Sequence, residues 1–172
     1  GTMITFHPDP EIFGKTVGFS SSRLYRLVRS KAYLFRGVEI RWKCASNMLS
    51  NASDVPEKET LHFPGGLSDF LVASLGERKL VTAKAFAGET PLNANAGHVE
   101  WAIAWPKDGG GSLSSYCNTV PTSQGGTHEA GLRTALSRGL KAYGSLVGNR
   151  MASSIIADDI MADTCGLLSI FI

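Results

Sequence analysis

Cysteine is scarce in this chain. The three thiols, Cys44, Cys117 and Cys165, are odd in number and far apart, which excludes a disulfide framework and any metal-ligand spacing. Cys117 and Cys165 fall in strand-like segments and are expected to be buried, reduced thiols. The four histidines are equally scattered, with no pair at helical metal-binding spacing. No apolar run approaches the ~18–20 residues that a membrane span needs, and no basic-then-apolar leader opens the chain. A cytoplasmic chain without membrane contact is the expectation. There is no Gly-x-x-x-x-Gly-Lys phosphate loop and no Gly-x-Ser-x-Gly elbow. Gly109-Gly110-Gly111 precedes neither a helix nor a Lys-Ser/Thr ending, so it reads as a turn. Asn51-Ala52-Ser53 fits the glycosylation pattern by chance in a chain without a secretory signal. No self-sufficient catalytic, cofactor or metal site stands in the sequence.

What is present fits one domain over residues 1–172, long enough to bury a core. Met3 to His7 reads as a short strand ended by His7-Pro8-Asp9-Pro10. Ser20–Ser22 offer caps for a helix to about Leu34, which Gly37 stops. Val38–Lys43 and Glu59–Phe63 read as a hairpin around a polar loop, Ala45 to Lys58. Pro64-Gly65-Gly66 turns the chain into a helix over Leu67–Leu75, and Lys79 to Ala87 reads as a strand. Val99, Trp101, Ile103 and Trp105 alternate with Glu100, Ala102 and Ala104, a clear strand pattern that Lys107–Gly111 should close into a hairpin with Leu113–Val120. A short helix over Ala157–Ala162 and a strand over Gly166–Ile172 complete the pattern; the apolar ending suggests an excised piece of a longer chain. Strand pairs mixed with single helices argue α+β, with a mixed β-sheet and helices on one face.

Charge is unevenly spread although the net value is only +2. Between Ser20 and Lys43 stand Arg23, Arg26, Arg29, Lys31, Arg36, Arg41 and Lys43 against the single acid Glu39. A basic face can meet nucleic acid, but this segment alone reads as a solvated helix face. The helix expected over Thr127–Leu146 is more informative. At ~100° per residue, Leu132, Ala135, Leu136, Leu140, Tyr143 and Leu146 share one face. Gly139 lies on it, consistent with a closely packed neighbour. Arg133, Arg138 and Lys141 share the opposite arc with no acid among them. They either face solvent or attract phosphates without reading bases. At its start, Gly125-Gly126 permit a tight entry and Thr127 is a natural N-cap; capping is favoured there over anion binding.

The stretch Tyr116–Leu136 carries Asn118, Thr119, Gly125-Gly126-Thr127-His128, Gly131 and Ala135-Leu136. That pattern resembles the second domain of the ATPase-bearing B-subunit of type II DNA topoisomerases. Three other stretches are similar to the same domain in the right order: Thr5–Phe13, Phe63–Leu71 and Leu168–Ile172. The detail of Ser30–Ile40 looks more like the topoisomerase IV branch than the gyrase branch.

The resemblance implies a transducer domain of ribosomal-protein-type fold, with a left-handed βαβ crossover against the usual rule. Such a domain couples ATP binding and hydrolysis in the preceding domain to DNA strand passage. Its partners would be that ATP-binding domain, the A-subunit of topoisomerase IV and DNA. ATP and Mg2+ would be cofactors of the full-length protein, held by residues this chain does not contain. A Gln-Thr-Lys loop, whose lysine reaches the γ-phosphate, should follow Ile172. The loop and helix start Gly125, Gly126, Thr127 and His128 would support it, and Arg133, Arg138 and Lys141 would face the DNA cavity. The family's acidic-x-Arg-Glu-Gly before the last strand is replaced by Asp163-Thr164-Cys165-Gly166. The expectation is a monomer, inactive alone, without micromolar ATP affinity. Two rivals stay open: a stand-alone, sequence-independent DNA-binding domain like that of mismatch-repair relatives, and a small-molecule kinase of the same fold type.

Overall fold

The computed structural model describes residues 1–14, 18–49, 54–92 and 96–172; Asn51 and its glycosylation-like triplet lie outside them. Helix α1 covers Pro10–Phe13 and α2 Ser21–Leu34. Ser20 caps α2 by accepting from the Arg23 N–H at 3.4 Å, and Gly37 follows it at φ 82°. Strands β1 (Glu39–Lys43) and β2 (Lys58–His62) form the expected antiparallel hairpin, with Ile40 opposite Leu61. Helix α3 covers Leu67–Leu75. The remaining elements are β3 (Phe86–Pro91), β4 (His98–Ala104), β5 (Ser112–Cys117), β6 (Val120–Pro121), α4 (Thr127–Leu146), α5 (Ala157–Met161) and β7 (Cys165–Phe171). The free thiols are as expected only at Cys165, which is buried; Cys117 is half-buried.

The five-stranded sheet has the order β3-β4-β7-β5-β6, with β5 and β7 parallel and the other pairs antiparallel. The α+β class and the mixed sheet are therefore present. The expected β4–β5 hairpin is not. The apolar C-terminal strand β7 inserts between them, placing Ile103 opposite Gly166 and Leu113 opposite the same glycine. A strand buried on both faces gains most from the centre of a sheet, and Leu167, Leu168 and Ser169 are all buried.

Helices cover both faces rather than one. Ala102, Ala104, Cys165 and Leu167 pack with Tyr33 and Leu34 of α2 and Leu67, Leu71 and Leu75 of α3. Ile103, from the other side of β4, packs with Leu136 of α4 and Ile160 of α5. Because side chains alternate along a strand, two apolar faces demand two covers. Two other strands move. Met3 to His7 forms no strand, and Met3, Ile4 and Phe6 are exposed with no ladder partner. Leu80 makes only an isolated bridge to Pro106, and the ladder starts later, at Phe86 opposite Ile103, with Gly88 opposite Trp101 under its indole.

Helix α2 also packs on the small hairpin through Tyr25, Ala32, Val55 and Leu61. Tyr25 meets Trp42 edge-on at 5.5 Å and donates its hydroxyl to Glu59. Burial, and then the Glu59 hydrogen bond, push the Tyr25 phenol up to about 12. Its neutral form is thus favoured by folding. This stabilisation is complete below the unfolded pKa of about 10 and is lost as pH rises towards 12. Thermal melts across this window should show a decline for the native chain that is shallower in Tyr25→Phe.

Candidate functional site

Parallel pairing brings the ends of β5 and β7 to one edge of the sheet, with Cys117 level with Ile170. The Asn118 N–H donates to Ile170 O at 2.8 Å, and Asn118 Oδ1 accepts from the Ile172 N–H at 3.0 Å. Asn118 and Thr119 both have positive φ, 47° and 66°, as the tight turn from β5 to β6 requires. For a β-branched Thr this backbone costs about 1–2 kcal/mol. Lys31 of α2 holds it: Nζ donates to Thr119 O at 3.0 Å and also to its hydroxyl. Sequence reasoning missed this clamp. The only available signal was an asparagine in an apolar-flanked turn, without the glycine that usually follows.

The chain then passes through Thr122 to the glycine pair. Gly125 adopts φ 71°, and Gly126 is extended as the residue capping α4. The expected Thr127 cap is absent: Thr127 is the first helical residue and no side chain caps the end. Glu129 supplies the negative charge of the first turn instead, complementing the helix dipole. Its carboxylate accepts from Ser115 of β5. The Ser115 and Thr122 hydroxyls lie 2.5 Å apart, and Thr122 Oγ1 is 3.1 Å from His128 Nε2. His128 and Glu129 therefore diverge around the helix but meet through two hydroxyls that tie the loop to the sheet. Ser115 is buried, so the network locks a loop and does not present a nucleophile. A phosphate does not fit at this helix end, because a carboxylate already occupies its first turn.

Arg133 pairs with Asp158 of α5, so the one-signed stripe acquires an acid from a neighbouring element. Among the described residues Arg138 and Lys141 make no ion pair. The apolar face of α4 is only partly covered: Leu136 is buried, while Tyr143 and Leu146 are exposed. A cleft of about 770 Å³ opens between this helix and the sheet, walled by Phe86, Trp101, Leu132, Leu168 and Ile170. Gly139 meets nothing; the close approach is at Gly144, where a Cβ would sit 2.0 Å from that of Ala152. Helix α4 is thus anchored at its start by hydroxyls and near its end by Ala152, with space beneath its middle.

A family model described as DNA gyrase B matches residues 66–172. The B-subunit of DNA topoisomerase 4 from Bartonella bacilliformis is 52% identical over 172 residues, covering all of this chain and 25% of that protein. Its counterpart from Caulobacter vibrioides is 48% identical over 176 residues, again covering all of this chain and 25% of the relative. The chain spans about a quarter of the length of these curated relatives. Among solved structures, the 43K ATPase domain of Thermus thermophilus gyrase B, in complex with an aminocoumarin, superposes with a TM-score of 0.74 and 24% identity, over 96% of this chain and 43% of that one. The B-subunit of the DNA gyrase from Myxococcus xanthus gives a TM-score of 0.75 and 21% identity, over 95% and 43% of the two chains. At these identities the two structures support the fold.

Proposed function

We propose, for a chain that belongs to the DNA gyrase B family, that it is the transducer domain of a topoisomerase IV B-subunit. In this reading it couples ATP binding and hydrolysis in a neighbouring domain to DNA strand passage. The observation that carries the reading is the match of the whole chain, at about half identity, to the B-subunits of topoisomerase 4 relatives. The edge geometry supports it. Asn118 is hydrogen-bonded to the end of β7, and the start of α4 is hydrogen-bonded to Ser115 and Thr122, which flank the Asn118-Thr119 turn on either side, so a displacement at one passes to the others through β5 and that turn. Any segment leaving β7 at Ile172 starts beside Asn118. The space under α4 leaves room beneath its middle, between a start tied by Ser115 and Thr122 and an end packed on Ala152. ATP and Mg2+ belong to the neighbouring domain, the A-subunit and DNA are partners of the whole enzyme, and the location is cytoplasmic. This chain alone is a monomer without catalytic turnover.

Arg138 and Lys141 are the free cations of α4 and would attract phosphates of a duplex, with Arg133 contributing less because Asp158 already neutralises it. Fluorescence anisotropy with a short duplex tests this. The expectation is weak binding whose logarithm falls with log salt, the slope being reduced by about 1.8 in Arg138→Glu/Lys141→Glu, roughly 0.9 per lost contact. Arg133→Glu should change it less. No binding by the native chain at low salt makes α4 a solvated face. Tight binding at physiological salt would favour the rival reading, a stand-alone DNA-binding domain.

A further inference from the structure

The sequence alone makes the basic run of α2 a solvated face. In the structure, Arg23, Arg26 and Arg29 line one cleft of about 560 Å³ between α2 and strands β5 and β6, on the face of the sheet opposite α4. Their spacing of three residues puts them along about 9 Å of one side of the helix. Every acid of the chain lies among the described residues, and none pairs with any of the three. Arg29 stacks over Phe70 at 4.9 Å, and its buried Nε meets no acceptor among the described residues.

The cleft floor adds another donor. The hydroxyls of Tyr33 and Tyr116 lie 2.6 Å apart and both rings are buried. One phenol donates to the other, so the second hydrogen needs an acceptor, and the described residues provide none. Burial, and then the bond to Tyr116, raise the Tyr33 phenol far above its usual range, so Tyr33 stays neutral. Buried donors without an acceptor, such as Arg29 Nε and the second phenol hydrogen, are costly. Here they converge from a helix and from the sheet around a space larger than a water molecule. Leu27, Phe70, Pro121 and Leu167 add an apolar wall.

We propose that this cleft binds a phosphate group, as a mono- or diester carried on a nucleoside-sized unit. A tetrahedral dianion offers several acceptor oxygens to donors arriving from different directions, and it matches fixed guanidinium charge better than a single planar carboxylate. The apolar wall suits the unit that carries the phosphate. The source is either a free phosphorylated small molecule or one nucleotide of an unpaired strand; a duplex is too wide to enter.

Titration of the full 172-residue chain at low salt, followed by amide chemical shifts and calorimetry, tests this with pyrophosphate, thymidine monophosphate and oligo-dT. The expected result is saturable binding that shifts amides of α2 and β5 and weakens at least about tenfold in Arg26→Gln. Arg26 is exposed and makes no ion pair among the described residues, so this variant should keep the native melting temperature. Arg29→Gln should weaken binding further, while Arg138→Glu/Lys141→Glu should leave it unchanged, which separates this site from the α4 reading. Saturation by pyrophosphate or the mononucleotide identifies a small-molecule source, and saturation by oligo-dT alone identifies a strand. No saturable binding of any of the three, equal binding by Arg26→Gln, or equal occupancy by a glutamate-rich peptide would overturn the proposal.

Discussion

Gly97→Ala is expected to cost about 3–5 kcal/mol, a large share of the stability of a domain of this size. Gly97 has φ +122°, where an L side chain is strained, and a Cβ there would sit 1.6 Å from Phe171 O and 2.6 Å from the Phe171 carbonyl carbon. Both obstacles are backbone of the central strand and cannot swing aside. Gly97 leads directly into β4, whose first residue His98 stacks on Phe171 at 4.6 Å. Its carbonyl accepts from the Leu92 N–H at 2.8 Å. Relief therefore requires β4 to separate from β7 at the edge where the turn, the strand end and α4 meet. Gly139→Ala is the internal contrast. That glycine is exposed in mid-helix with open space around it, so alanine should stabilise by roughly 0.5–1 kcal/mol. Urea midpoints of the two variants should move in opposite directions. Equal midpoints would mean that the β4–β7 edge is not packed as described.

Helices α2, α3 and α4 were legible in the sequence because their signals are local, whereas the four-residue α1 was not expected. Ser20 before α2, Gly65-Gly66 before α3 and Gly125-Gly126 before α4 each mark a start within a few residues. The strand order was not legible. Trp101 pairs with Leu168 across most of the second half of the chain, and no local pattern announces such a partner. The glycine run 109–111 suggested a hairpin by proximity. Instead, Gly111 packs against the Thr164 backbone, its Cβ position lying 2.7 Å from Thr164 N, and so admits β7 beside β5. The same nonlocality hid the second helical face: Ile103 and Ala102 are both apolar, and the alternation says only that two sides exist, not what covers each.

The candidate site was legible in part. The resemblance singled out Gly125, Gly126, Thr127 and His128, and the structure brings them to one edge, with Glu129 and Ser115 as the unforeseen ties. The Lys31–Thr119 clamp joins residues 88 positions apart and carried no sequence signal. The basic arc of α4 was seen, but its Asp158 partner comes from another helix. Periodicity within one helix cannot reveal a charge supplied from outside it.

The central claim is that the β5–α4 edge transmits the nucleotide state and does not itself perform chemistry. The most direct test is Glu129→Ala in a full-length protein carrying this sequence, reconstituted with its A-subunit. The change removes the carboxylate that ties α4 to Ser115 while leaving the neighbouring domain untouched. ATP hydrolysis and ATP-driven relaxation of supercoiled DNA are then measured on the same preparation. The account predicts that hydrolysis stays within about twofold of the native rate while relaxation per ATP falls roughly tenfold, as loss of a coupling energy near 1.4 kcal/mol would give. Hydrolysis and relaxation falling together, with unchanged relaxation per ATP, would contradict it.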